Sequence, residues 1–164
     1  MKIAFIGDTH HNEKAIEKAT EYINSLKADM IIHLGDCVED IKLIEKNFDG
    51  KIQAVAGNCD FSNIYSKEDT IDINGVKIFF THGDLYNVKN TINSLAIKAQ
   101  SISADIVLFG HTHIPLREEY RNIIFMNPGS IPKPSPWAKG KYIGFIEIDN
   151  EGVIVTAELK GIEV

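Results

Sequence analysis

The chain has 164 residues, 44% of them apolar and 24% charged, which suits one globular domain over residues 1–164 and excludes a disordered chain. Seventeen Lys and Arg against 23 Asp and Glu leave a net charge of −6 with no basic run, so no nucleic-acid partner and no anionic membrane is expected. Cys37 and Cys59 are too far apart for a C-x-x-C pair and form no disulfide framework. No apolar run approaches the roughly 20 residues of a membrane span, and "MKIAFIGDTHHN" turns polar too soon for a secretory leader, so the expected location is the cytoplasm.

In chain order, a short β-branched run at 3–6 reads as a strand and is followed by an amphipathic helix over 12–26, with Ala15, Ala19, Tyr22, Ile23 and Leu26 on one face. A strand at 30–34 precedes a second helical pattern over 38–48, and another strand follows at 52–56. "DING" at 72–75 is a hairpin turn, leading into a strand at 76–80. A third helix is expected over 88–102, then strands at 106–109 and 123–126. The end of the chain alternates about Asn150-Glu151-Gly152 as a final hairpin. Several of these strands are almost wholly apolar, as strands covered on both faces are. The expected fold is α/β: a layered β-sandwich of two mixed sheets flanked by helices.

The residues directly after the strands carry the chemistry. They read "GDTHH" after Ile6, "GDC" after Leu34, "GNCD" after Ala56, "THGD" after Phe80, "GHTH" after Phe109 and "NPGS" after Met126. Each alone is ordinary turn chemistry. Together they gather Asp8, His10, Asp36, Asn58, His82, His111 and His113, and four of the chain's six histidines fall among them. Turns use Asp and Asn but have no call for histidine. In layered α/β folds the carboxyl ends of neighbouring strands share one edge, where ligand sites form. Imidazole nitrogen with carboxylate and amide oxygen, and no thiolate, suits Mn, Fe, Ni, Co or Zn better than Ca or Mg. Seven donors are too many for one tetrahedral zinc and about right for two metals sharing a carboxylate.

Assembled in this order, the motifs resemble those of the calcineurin-like metallophosphoesterases: Asp8-x-His10, Gly35-Asp36, Gly57-Asn58, His82-Gly83 and Gly110-His111-x-His113. "NPGS" extends the likeness to the small, capless branch of YfcE-like phosphodiesterases, which also includes a eukaryotic retromer subunit. The resemblance implies two divalent transition metals, manganese first. One would be held by Asp8, His10, Asp36 and His113, and the other by Asp36, Asn58, His82 and His111, with Asp36 bridging. It further implies a hydroxide between them that attacks the phosphorus of a small phosphate ester. Many members carry histidine after Gly-Asn, where it assists the leaving group. Cys59 stands there in this chain, a poorer acid, followed by Asp60 as a candidate orienting residue.

His11 is expected to be exposed, His33 to be a hydrogen-bonded core residue and Cys37 to pack. The proline-rich stretch 131–141, with Trp137, is open to gating the site, binding substrate or meeting another subunit of a homo-oligomer. The leading function is a phosphodiesterase. The alternatives are a phosphomonoesterase of the same mechanism and a non-catalytic protein-binding module on the same fold. A nucleotide-binding domain is disfavoured because no Gly-rich phosphate loop occurs.

Overall fold

Two five-stranded sheets face each other in the computed structural model, which describes residues 1–61 and 64–163. The first contains β1 (Lys2–Ile6), β2 (Met30–His33), β3 (Lys51–Ala54), β9 (Tyr142–Ile148) and β10 (Ile154–Gly161), in the order β10-β9-β1-β2-β3. The second contains β4 (Glu68–Ile73), β5 (Val76–Thr81), β6 (Ile106–Leu108), β7 (Leu116–Tyr120) and β8 (Ile123–Asn127), in the order β4-β5-β6-β8-β7. Each sheet contains three parallel strands, β1-β2-β3 and β5-β6-β8; antiparallel strands extend the first beyond β1 only and flank the second on both sides. Three helices cover the outer faces: α1 (Glu13–Ser25), α2 (Ile41–Glu45) and α3 (Asn93–Ser101).

The period-two alternation of the strands sets these layers. Along β1, Ile3 and Phe5 point between the sheets, where they meet Ile78, Phe80, Leu108 and Met126. Ala4 and Ile6 point outward onto Ile16, Ala19 and Ile23 of α1. Phe79, Val107 and Phe125 of the second sheet pack against Leu95, Ala96 and Ala99 of α3. Gly144 of β9 pairs with Phe5 across the first sheet, and a Cβ there would stand 1.8 Å from the Phe5 ring. The bulk of Phe5 fits only because its partner has no side chain.

The helices are shorter than the pattern predicts. Asn12 caps α1 by accepting from the Ala15 N–H at 2.9 Å, so that helix begins where expected. The stretch 38–48 instead opens as a single 3₁₀ turn, Val38–Asp40, before the five residues of α2. Its first N–H groups are drawn away: the Val38 N–H donates to Asp60, and Cys37 sits at φ 68°. The expected helix over 88–102 starts only at Asn93, because Asn87 turns left-handed at φ 54° and Val88 is used as a core contact in the loop. Strands β4 and β7 were not among the expected ones. They are the edges of the second sheet, and "EDTIDI" and "LREEY" are polar because only one side is covered.

Candidate functional site

The parallel strands of both sheets deliver their carboxyl-terminal loops to one place. Asp8 follows β1, Asp36 follows β2, and Asn58 follows β3 in the first sheet; His82 follows β5, and His111 and His113 follow β6 in the second. Backbone bonds tie the loops in pairs. The Asp8 N–H donates to the Gly35 carbonyl at 2.9 Å, and the Gly110 N–H donates to that of His82 at 2.9 Å. Contact between the β2 and β3 loops is so close that a Cβ on Gly57 would lie 2.2 Å from Asp36 Oδ1 and 2.5 Å from its backbone nitrogen.

Five of the candidate donors hold left-handed backbone: Asp8 at φ 53°, His10 at 47°, Asp36 at 58°, His111 at 66° and His113 at 57°. Each such residue costs on the order of 1–3 kcal/mol and persists only where its surroundings over-determine it. Three loops around one point share this backbone strain.

The side chains fall into two groups. His10 Nε2 and His113 Nε2 lie 3.3 Å apart, and His113 Nε2 lies 3.1 Å from Asp8 Oδ1. Across the cleft, His82 Nε2 is 3.2 Å from Asn58 Oδ1, 3.1 Å from His111 Nδ1 and 3.4 Å from Asp36 Oδ1. Ligand atoms of Asp8, His10 and His113 all lie within 4.8 Å of one another, and so do those of Asp8, Asp36 and His82. Asp8 is therefore the member common to both clusters, and Asp36, buried like it, joins it in the second.

Tautomers decide what this geometry can hold. His82 Nδ1 donates to the Leu34 carbonyl at 2.8 Å, and His113 Nδ1 donates to that of Lys133 at 2.9 Å. In a neutral ring with Nδ1 donating, Nε2 carries a lone pair, here aimed inward. Around His82 Nε2 the neighbours are the Asp36 carboxylate oxygen and the Asn58 amide oxygen, both acceptors, and His111 Nδ1, which donates or accepts according to its tautomer. Electron pairs gathered this closely repel one another unless a cation lies among them, so the donor set fits a metal. Protonation is adjusted in the same sense. Burial comes first in lowering the pKa of both His10 and His111, which leaves them neutral. Burial alone would raise the Asp36 pKa, but His82 and the N–H of Cys59 together hold it below its ordinary value. His113 runs the other way, raised chiefly by its hydrogen bond to Asp8.

The model of the calcineurin-like phosphoesterase superfamily domain matches residues 1–151. The chain belongs to that superfamily. A probable metallophosphoesterase of Methanocaldococcus jannaschii is 35% identical over 136 residues, covering 82% of this chain and 70% of the relative. A phosphodiesterase of the same organism is 33% identical over 144 residues, covering 79% of this chain and 83% of its own length. Among solved structures, wild-type Vps29 of Entamoeba histolytica complexed with zinc superposes with a TM-score of 0.77 at 21% identity, over 98% of this chain and 99% of that one. This last likeness is one of fold.

Around the donors of this phosphoesterase stands a layer of buried polar side chains. Asp60 accepts the backbone N–H groups of Asp36 at 2.9 Å, Val38 at 2.9 Å and Gly57 at 2.7 Å, binding the β2 and β3 loops to each other. The sequence offers Asp60 as a residue that orients Asn58 or a ligand histidine; among the described residues its hydrogen bonds go to backbone N–H groups instead. Asn127, in the "NPGS" motif, donates to the Gly110 carbonyl at 2.8 Å and to Thr112 Oγ1 at 3.0 Å. Ser130 Oγ donates to the Asp8 carbonyl at 2.8 Å. The motif thus fixes the loops after β6 and β1.

Sequence reasoning passed over one further chain of bonds. His33 is fully buried and held near pKa 4 by that burial, so it is neutral. It accepts from the Gly35 N–H at 3.2 Å, and its Nε2 lies 3.2 Å from Thr9 Oγ1, which donates to Asp40 Oδ2 at 2.6 Å. Asp40 also accepts from the backbone of His11 at 3.0 Å and faces its exposed ring at 2.9 Å. His33 and His11 take their expected places, and Cys37 is buried with its thiol pushed up to about 11, first by burial. Thr9 and Asp40 carry no signature in the sequence, since their partners lie 24 or more residues away. Cys59 is exposed at the rim, where Asn58 Nδ2 lies 3.5 Å from its sulfur; burial first, then Asp36, raises its pKa.

Proposed function

We propose that this phosphoesterase hydrolyses phosphodiesters with the help of two divalent transition metals, manganese first among Mn, Fe, Ni, Co and Zn. Asp8, His10, Asp36 and His113 would hold one, and Asp36, Asn58, His82 and His111 the other. The observation that carries this reading is the convergence on His82 Nε2 of the Asn58 amide oxygen, the Asp36 carboxylate oxygen and His111 Nδ1, all within 3.4 Å. When bound, such metals lower the pKa of water and neutralise phosphoryl oxygens.

The chain's own residues prepare the rest. Carbonyls of Leu34 and Lys133 keep the His82 and His113 rings turned with Nε2 inward. Asp60 and Asn127 fix the loops that bear Asp36 and His111. Hydrolysis adds water across the ester: a P–O bond forms to the water oxygen, the bond to the departing oxygen breaks, and that oxygen takes up a proton. The Cys59 thiol stays protonated at neutral pH but is a weak donor, which favours esters with good leaving groups. Exposed Asn58 and Cys59 leave the site accessible to a diester, and the 33% identical relative is named a phosphodiesterase. The complete donor set favours catalysis over a purely protein-binding role.

The test is hydrolysis of bis(p-nitrophenyl) phosphate and of p-nitrophenyl phosphate by metal-stripped protein refilled with Mn²⁺. A Mn-dependent rate higher on the diester, and lost by at least 100-fold in Asp36→Asn, is expected. Turnover retained in Asp36→Asn would remove the shared-carboxylate role. No turnover with any of the five metals would sink the catalytic reading.

A further inference from the structure

Beside the His111–His113 loop the cleft continues into an apolar groove. The part facing the donors is walled by His111, Thr112, His113, Lys89, Lys133 and Ser135. Three of these, Lys89, Thr112 and Ser135, also line a neighbouring groove of about 360 Å³, floored by Phe109, Leu116 and Ile92 and sided by Ile114 and Trp137. That volume lies in the ~300–1,000 Å³ range of small-molecule sites. Trp137 is 82% exposed although it is the only tryptophan in the chain. Its loop is not loosely attached. The Ser135 N–H donates to the His113 carbonyl at 3.0 Å, and Ser135 Oγ accepts from the Trp137 N–H at 3.3 Å. The backbone of Trp137 is thus tied through Ser135 to that of a candidate metal ligand.

We propose that this groove seats a planar aromatic group of the phosphoester, stacked on Trp137, with Lys89 placed between that ring and the phosphate. The inference rests on the phosphoesterase reading above and narrows its substrate class to esters of aromatic or heteroaromatic alcohols and nucleoside-like esters. Charge supports it. In a chain of net charge −6, Lys89 and Lys133 bring positive charge to the donors. An anionic phosphate is drawn to that end, while Phe109, Leu116 and Ile92 exclude water from the other. Ring stacking on an exposed indole is worth about 1–3 kcal/mol, and a tenfold preference corresponds to about 1.4 kcal/mol.

The single tryptophan makes occupancy directly visible. Mn-loaded full-length protein would be titrated with phenylphosphonate and with methylphosphonate, neither of which has an ester bond to cleave. The Trp137 emission, excited at about 295 nm where neither probe absorbs, should change with phenylphosphonate only. As an inhibitor of diester hydrolysis, phenylphosphonate should half-saturate at about one-tenth the concentration of methylphosphonate, and Trp137→Ala should bring that ratio close to one. Equal half-saturation of the two probes, with silent emission and diester turnover intact, would overturn the groove while leaving the phosphodiesterase standing. Absence of both turnover and inhibition would overturn the two together. If Trp137→Ala dissociates an oligomer, seen by sedimentation, yet leaves the phenyl preference in place, the groove belongs to a second copy of the chain and the inference falls.

Discussion

The site shows how much one buried carboxylate can organise. Asp60 uses both oxygens to accept from three backbone N–H groups. Asp60→Asn would turn an amide NH₂ toward those donors, leaving at least one buried N–H unpaired at a cost of about 1–3 kcal/mol. We expect a lower melting temperature and Mn²⁺ affinity reduced roughly 10- to 100-fold, read by calorimetric titration; unchanged affinity would show that the loops keep their spacing without it. His33 makes a second residue-scale prediction through pH. Its folded pKa of about 4 lies below the ordinary 6.5, so between these values the unfolded chain takes up a proton that the folded chain refuses. Its contribution is therefore intact above pH 6.5 and is lost as pH falls toward 4. In metal-free protein this amounts to about 2 kcal/mol between pH 7.5 and 5. Urea melts of His33→Gln should show a correspondingly flatter pH dependence than wild type, and parallel curves would refute the assignment. Asp8, His10, Asp36, Asn58, His82, His111 and His113 were legible in sequence because histidine after a strand-ending glycine has no use in a plain turn. The partners that hold them were not. Thr9 and Asp40 look like any loop polar residue until the fold joins them to each other, to His33 and to the His11 N–H across 24 or more residues. Asp60, singled out in the sequence, shows its Asp36 and Val38 N–H partners only in the fold.

At the level of elements, legibility followed burial. The parallel strands β1, β2, β5, β6 and β8 were readable because both faces are covered, by the opposite sheet and by helices. β4 and β7 escaped because an edge strand with one solvated face has the composition of a loop. The helices were read too long where neighbouring loops compete for their first N–H groups, as Asp60 does for Val38. Packing of β1 against β9 gives a sharper test of how tightly these elements fit. A methyl on Gly144 would occupy the space of the Phe5 ring. Gly144→Ala should destabilise by roughly 1–3 kcal/mol, the usual range for overpacking, and shift a thermal melt downward. Adding Phe5→Leu should recover at least half of that loss, because the clash is with ring atoms. If the double variant is as unstable as the sum of its parts, the strain lies elsewhere in the pair.

On the scale of the whole molecule, the candidate donors come from both sheets: Asp8, His10, Asp36 and Asn58 from one, His82, His111 and His113 from the other. The hydrophobic layer between the sheets brings them to the same edge, but it also forces two carboxylates and four imidazoles together. Without cations this edge is the part of the sandwich where acceptor atoms oppose one another. Metals held by both groups would clamp sheet to sheet and remove that repulsion, so binding energy becomes folding stability. With Mn²⁺ at 100 times its dissociation constant, the linkage is about 2.7 kcal/mol for one site. At roughly 2–4 °C per kcal/mol for a chain of this size, the melting temperature should rise by about 5–10 °C on loading and return on chelation. The proposed division of ligands makes the comparison among variants decisive. Asn58→Ala removes a donor from one group only and should keep part of the rise, whereas Asp36→Asn touches both and should lose most of it. Equal losses in the two variants would mean that the groups bind as a single centre, and the assignment of Asp36 as the shared ligand would have to be given up.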